Sequence, residues 1–99
     1  MMTALWIANV DVTDADEYAK YAPIATEAIA EHGGVFLARA GAYVQLEGRE
    51  RARNVVARFP SIEAAVACYN SEKYQAAVAH ANKGAVRDLV VVEELPTDT

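Results

Sequence analysis

Arg39, Glu47 and Arg53 bracket a stretch that reads as the connection between two extended segments. If those segments pair symmetrically about Glu47, Arg39 stands opposite Val55 and Arg53 opposite Gly41. Both guanidinium groups then lie on one sheet face as diagonal neighbours, about 7–8 Å apart at the backbone. Two like charges that close repel unless an anion lies between them, and the guanidinium fork matches a carboxylate. The chemistry implied is a clamp for an acidic small molecule, with Glu47 placed to move a proton. The structural alternative is a salt-bridge set made with Glu47 or with an acid of a second chain. The Gly41–Ala52 segment is long enough to bulge, so the register is what the fold must decide.

His32 and His80 are the bases whose ordinary pKa lies nearest neutrality. His32 falls in the last helical turn before Gly33-Gly34, where a cation suits the helix dipole. It is the second candidate proton carrier, against a plain capping role. Tyr18, Tyr21, Tyr69 and Tyr74 bring four phenols from two helical regions. Each can orient a carbonyl, or sit in the core with its hydroxyl at the rim. Tyr69-Asn70-Ser71 breaks a helical pattern and leaves polar groups free to face a cleft. Tyr69, Ser71 and Tyr18 therefore join Arg39 and Arg53 as candidate ligand contacts. Cys68 lies in an apolar helical stretch and reads as a packed thiol rather than a nucleophile. As the one cysteine, it excludes an internal disulfide and any Cys-rich metal site. No histidines and acids fall at metal-ligand spacing, so neither metal nor cofactor is expected.

The elements that must hold these groups follow from pattern. Leu5–Val12 is short, apolar and partly β-branched, a strand. Asp14, with Glu17 three residues on, caps a helix. Tyr18, Tyr21, Ala25, Ala28, Ile29 and His32 share one face of that helix. Pro23 should kink it, and Gly33-Gly34 should end it. Val35–Ala40 and Arg53–Phe59 are the next strands, with a further extended piece at Tyr43–Leu46. Ser61 caps a helix over Ile62–Tyr69 and Ser71 a second over Glu72–Asn82. Gly84 closes the region, and Asp88–Leu95 is the last strand. The order is β-α-β-β-α-β, an α+β ferredoxin-like sandwich with two helical regions on one face of a four-stranded sheet. A single domain over residues 1–95 and a loose tail at 96–99 account for the chain.

Composition narrows the function classes. With 99 residues, 54% of them hydrophobic and 23% charged, one globular domain is expected. Nine basic against fourteen acidic residues give a formal charge of −5, which argues against nucleic acid or an anionic membrane as partner. No apolar run is long enough to span a bilayer, and Met1-Met2-Thr3 lacks the basic start of a signal peptide, so a cytoplasmic protein is expected. Twenty-one alanines favour helix but bury little area each. Strands one, three and four carry apolar residues at both parities, whereas a sheet wet on one side should alternate. A second copy is the simplest cover, and a homodimer through the open sheet face is expected.

A run of short pieces matches a known family in order and spacing. They are Leu5-Trp6-Ile7, Asp14 with Tyr18-Ala19-Lys20-Tyr21, Gly33 through Gly41, Leu46-Glu47-Gly48, Arg53-Asn54-Val55-Val56, Phe59-Pro60-Ser61, Ala65 through Tyr69, Ser71 and Tyr74-Gln75. Together they resemble the uncharacterised bacterial domain family of unknown function 1330, in the dimeric α/β-barrel superfamily. The resemblance implies a face-to-face sheet dimer and supplies no established reaction. Three positions depart from the family pattern. Arg58 stands where members often carry an acid before Phe-Pro-Ser, Ala81-Asn82 follow His80 where an arginine is frequent, and Glu94 replaces a usual glycine. Asn9 and His80 are also similar in placement to an asparagine and a histidine of haem-degrading monooxygenases with the same barrel. Those proteins use a tryptophan in the second helical region, where this chain has Tyr69 and keeps its one tryptophan, Trp6, on strand one. Cofactor-free isomerases, cyclases or monooxygenases are the wider form of this analogy. The expected function is binding, with or without transformation, of a small carboxylate- or carbonyl-bearing metabolite without a metal. Arg39 and Arg53 would hold the anion, Glu47 or His32 would move a proton, and Tyr18, Tyr69 and Ser71 would contact the ligand. The alternative from another class is a non-catalytic dimerisation or binding module.

Overall fold

A computed structural model describes residues 2–96. It contains β1 (Ala4–Val12), α1 (Ala15–Glu31), β2 (Val35–Arg39), β3 (Arg53–Phe59), α2 (Ile62–Asn70), α3 (Glu72–Gly84) and β4 (Ala85–Glu93). The strands form one antiparallel sheet in the order β2-β3-β1-β4, the ferredoxin-like arrangement. Residues 97–99 of the expected tail lie outside the described residues. Among the described residues, no helix is long and apolar enough to cross a membrane.

The helices begin where short polar side chains satisfy free backbone donors. Asp14 accepts from the Glu17 amide at 3.2 Å, and Ser61 from the Ala64 amide at 3.0 Å. Ser71 both accepts from the Tyr74 amide and donates to the Cys68 carbonyl, at 3.2 and 2.7 Å, so one side chain ends α2 and starts α3. α1 runs unbroken through Pro23, which is exposed. Its end needs glycine. Gly33 has φ +82°, and a Cβ on Gly34 would stand 2.5 Å from Ile29 Cγ2 and 2.8 Å from Phe59 Cζ.

Strand parity separates two faces. Ala4, Trp6, Ala8 and Val10 of β1, with Val55, Ala57 and Phe59 of β3, are buried beneath the helices. Trp6, Phe59, Tyr74, Val10 and Cys68 are the largest fully buried side chains. The opposite face carries Leu5, Ile7, Val35, Val56, Val86, Val90 and Val92, and no helix or strand among the described residues covers it. Val35, Val86, Val90 and Val92 are 62%, 52%, 55% and 47% exposed.

Two expectations need correction. The last strand starts at Ala85 rather than Asp88 and stops at Glu93 rather than Leu95. Its partner sets those limits: β1 pairs with it from Val12↔Ala85 to Ala4↔Glu93, and α3 runs into it with no loop between. Tyr43–Leu46 is not a strand. Ala40, at φ 59°, turns the chain outward, and residues 40–50 are exposed without sheet partners.

Candidate functional site

β2 and β3 pair with Arg39 opposite Val55, after a bulge at Leu37 that restores the parity. Arg39 and Arg53 therefore point to the helix side of the sheet. Arg87 of β4 points the same way, in line with Ala85, Leu89 and Val91. α1 crosses above them and supplies Tyr18, Tyr21, Ala25 and Ile29. The result is a cavity of about 130 Å³, floored by Trp6, Ala8, Val10 and Val55 and edged by Phe36, Arg39, Arg53 and Arg87. That volume is close to the ~150 Å³ of an apolar cavity that holds benzene.

The electrostatics of this cavity are one-sided. Among the described residues Arg49, Arg51 and Arg58 each pair with a carboxylate, whereas Arg39, Arg53 and Arg87 pair with none. Those three lie against rings instead. The Arg39 guanidinium is 4.3 Å from the Phe36 centroid, Arg53 is 5.5 Å from Tyr18, and Arg87 is 4.8 Å from Tyr21. Arg53 Nε is buried with no hydrogen-bond acceptor, alone in this among the described side chains. Arg87 Nη1 donates to the Tyr21 and Tyr74 hydroxyls at 2.8 and 3.1 Å, and those two hydroxyls bond each other at 2.6 Å. Burial pushes the Tyr18 and Tyr74 phenols above their ordinary pKa, so both stay protonated at neutral pH.

The other expected site residues lie elsewhere. Glu47 is exposed in the 40–52 loop, and the cavity lining excludes it. His32 caps α1 through a 2.8 Å contact between Nδ1 and the Ala28 carbonyl, away from the arginines. Ser71 is occupied by its two capping bonds. Tyr69 lines a second space of about 360 Å³, with Val66, Val78, Asn82, Leu89 and Val91. Trp6 and Arg87 belong to the walls of both spaces. Asn9 sits on the uncovered sheet face opposite Asn54 and Asp88, while His80 on α3 holds Glu17 at 2.8 Å. The pair that suggested haem chemistry thus shares no cavity. Cys68 is fully buried, and burial raises its thiol pKa to about 11, which fits a packed residue.

Sequence reasoning names Tyr21 and Tyr74 among four phenols but misses Arg87, which joins them. A last strand that begins at Asp88 puts Arg87 in a loop, whereas β4 begins at Ala85. The alternation Ala85, Arg87, Leu89, Val91 was the available signal, since it sets one cation among residues facing the helices.

The family described as Domain of unknown function (DUF1330) has a model that matches residues 3–95. The chain belongs to that family. No curated protein matches it. Among solved structures, a protein of unknown function from Rhodopseudomonas palustris superposes with a TM-score of 0.80 at 18% identity, over 96% of this chain and 84% of that one. SnoaB, a cofactor-independent oxygenase from Streptomyces nogalater, superposes with a TM-score of 0.66 at 11% identity, over 98% of this chain and 97% of that one. A dimeric ferredoxin-like protein of unknown function from Thermobifida fusca gives 0.60 at 20% identity, over 96% and 92%. These likenesses establish the ferredoxin-like fold. Arg58 and Glu94, far apart in sequence, meet each other here. Arg58 Nε and Nη2 donate to the two Glu94 carboxylate oxygens at 2.6 and 2.9 Å.

Proposed function

We propose that the cavity between α1 and the sheet binds a small, flat carboxylate- or carbonyl-bearing metabolite, and that the protein works as a homodimer joined through its uncovered sheet face. One observation carries the ligand reading: three arginines that meet no carboxylate among the described residues surround a single apolar-floored cavity, in a chain whose net charge is −5. Desolvating cations without counter-ions is costly, and a bound anion relieves that cost. Arg39 at the exposed edge and Arg53 beneath Tyr18 hold the carboxylate, while the aromatic and alanine floor takes the apolar body. The cavity lining includes no acid and no histidine. Any proton movement there falls to tyrosine hydroxyls or to the ligand itself, so Glu47 and His32 are not assigned a role in it. SnoaB, which shares the fold, is described as a cofactor-independent oxygenase, and that description is compatible with this reading.

Calorimetric titration of phenylacetate against its neutral analogue phenylacetamide tests the ligand reading. Saturable binding of the acid, at least tenfold tighter than the amide, supports it, and equal or absent binding of both contradicts it. The dimer reading rests on the exposed valines of β2 and β4 and agrees with the dimeric state described for the Thermobifida protein. Sedimentation at micromolar concentration should show a two-chain particle; a single-chain particle removes this part of the reading.

A further inference from the structure

Counting protons in the Tyr21–Tyr74–Arg87 network fixes a direction that distances alone do not. A phenol has one hydrogen to donate and two lone pairs to accept with, and a guanidinium only donates. Tyr74 is wholly buried, and among the described residues the one acceptor its hydroxyl touches is the Tyr21 oxygen at 2.6 Å. Tyr74 therefore donates to Tyr21, because the reverse would strand the Tyr74 hydrogen in the core. Arg87 Nη1 also donates to the Tyr21 oxygen, at 2.8 Å. Both lone pairs of Tyr21 are then filled, and its own hydrogen, with no other acceptor among the described residues, is left for the cavity that Tyr21 lines. The other hydroxyls on the lining, Tyr18 and Thr26, are under no such constraint and can donate or accept.

We infer that Tyr21 is a committed hydrogen-bond donor in this cavity, and that the ligand class is a bifunctional one: an anion held by Arg39 and Arg53, with a second oxygen acceptor (ketone, enolate or phenolate) set against Tyr21. This rests on the reading of the cavity as an anion site and narrows it. Two incoming bonds, one from a cation, polarise the Tyr21 O–H and strengthen what it gives. The placement supports two contact points, since Arg53 stacks on Tyr18, and Tyr18 lies 5.1 Å from Tyr21 by ring centroids. An acid without the second oxygen leaves the Tyr21 donor unmatched. Tyr21 determines specificity by touching the ligand, while Tyr74 and Arg87 are positioning residues that act through it.

The test compares phenylacetate with benzoylformate, which has the same ring and carboxylate and adds one keto oxygen. Benzoylformate should bind the wild-type protein about tenfold more tightly. Tyr21→Phe should bring that ratio close to one, with circular dichroism reporting separately that the variant is folded. The keto stretching frequency of bound benzoylformate should lie at or below its value in water. Equal affinity of the two acids for wild type, or an undiminished preference in Tyr21→Phe, overturns the inference and leaves the anion site standing. If neither acid binds, the anion site is overturned and the inference with it. If Tyr21→Phe does not fold, the wild-type keto stretch decides: a rise toward its value in aprotic solvent contradicts a donor at Tyr21.

Discussion

Six arginines divide between two environments, and the division has energetic consequences. Arg58 answers Glu94 with two parallel hydrogen bonds, and Arg51 lies between Asp11 and Asp88 at 3.4 and 3.2 Å. Arg53 has a buried Nε with no acceptor among the described residues. An unmatched buried donor costs about 1–3 kcal/mol. Replacing Arg53 by Met, which keeps the stem, should therefore raise ligand-free stability by about 1 kcal/mol while abolishing aryl-carboxylate binding. Chemical denaturation and calorimetry on the same variant check both halves, and a destabilised variant that still binds would contradict them. Glu94 allows a signed pH prediction. Hydrogen bonds from Arg58, and then from Thr3, hold its carboxyl at about 2, below the ordinary 4.5. A depressed carboxylate stabilises the fold above its unfolded pKa, and the contribution fades as pH falls from about 4.5 toward 2. The melting temperature of Glu94→Gln should accordingly fall less than that of wild type over this interval. The pair is solvent-exposed, so the difference will be small.

At the scale of elements, the site depends on how closely α1, α3 and the sheet approach. Gly84 makes one such approach possible: a Cβ there would stand 2.7 Å from the Tyr18 backbone nitrogen and 3.0 Å from the Asp14 carbonyl. The Gly84 carbonyl accepts from the Thr13 and Asp14 amides, at 2.8 and 3.1 Å. Gly84→Ala must push the start of α1 away and carry Tyr18 and Tyr21 with it. It should cost about 2 kcal/mol or more, read by denaturant unfolding, and should weaken ligand binding as well. Ser71→Ala removes the bond that starts α3 and the bond that closes α2, for a loss of about 1 kcal/mol. Binding should survive that change, because Ser71 lies outside the cavity. The elements were legible wherever a local rule acts alone: the Asp14, Ser61 and Ser71 caps, the Gly33 terminus, and strand β3 at Arg53–Phe59 all follow from short-range chemistry. β4 was displaced by three residues because its start is set by β1, a partner far away in sequence. The same distance explains the site. Placing Arg39 opposite Val55 needed one hairpin and could be reasoned out, whereas bringing Arg87 to Tyr21 and Tyr74 needs three elements packed together. Glu47 and His32 have chemically apt side chains, yet loop exposure and helix capping hold them away from the cavity.

Over the whole molecule, the two sheet faces have different tasks. The helix side encloses the cavity and the aromatic core, while Leu5, Ile7, Val56, Val90 and Val92 leave the other side apolar. Val90→Lys adds a charge at the centre of that surface, opposite Ile7, and should convert a two-chain particle to one chain in sedimentation without altering the fold seen by circular dichroism. Because the cavity is walled by one chain alone, a folded monomer of this kind should still bind the aryl acid. The most direct measurement reads all six arginines of the protein together: ¹⁵N-resolved Nε–H resonances followed during titration with phenylacetate. Saturable shifts at Arg39 and Arg53, with Arg49 and Arg58 unmoved, are predicted. Shifts of equal size at every arginine, or none at Arg39 and Arg53, would show that the cavity is not the anion site.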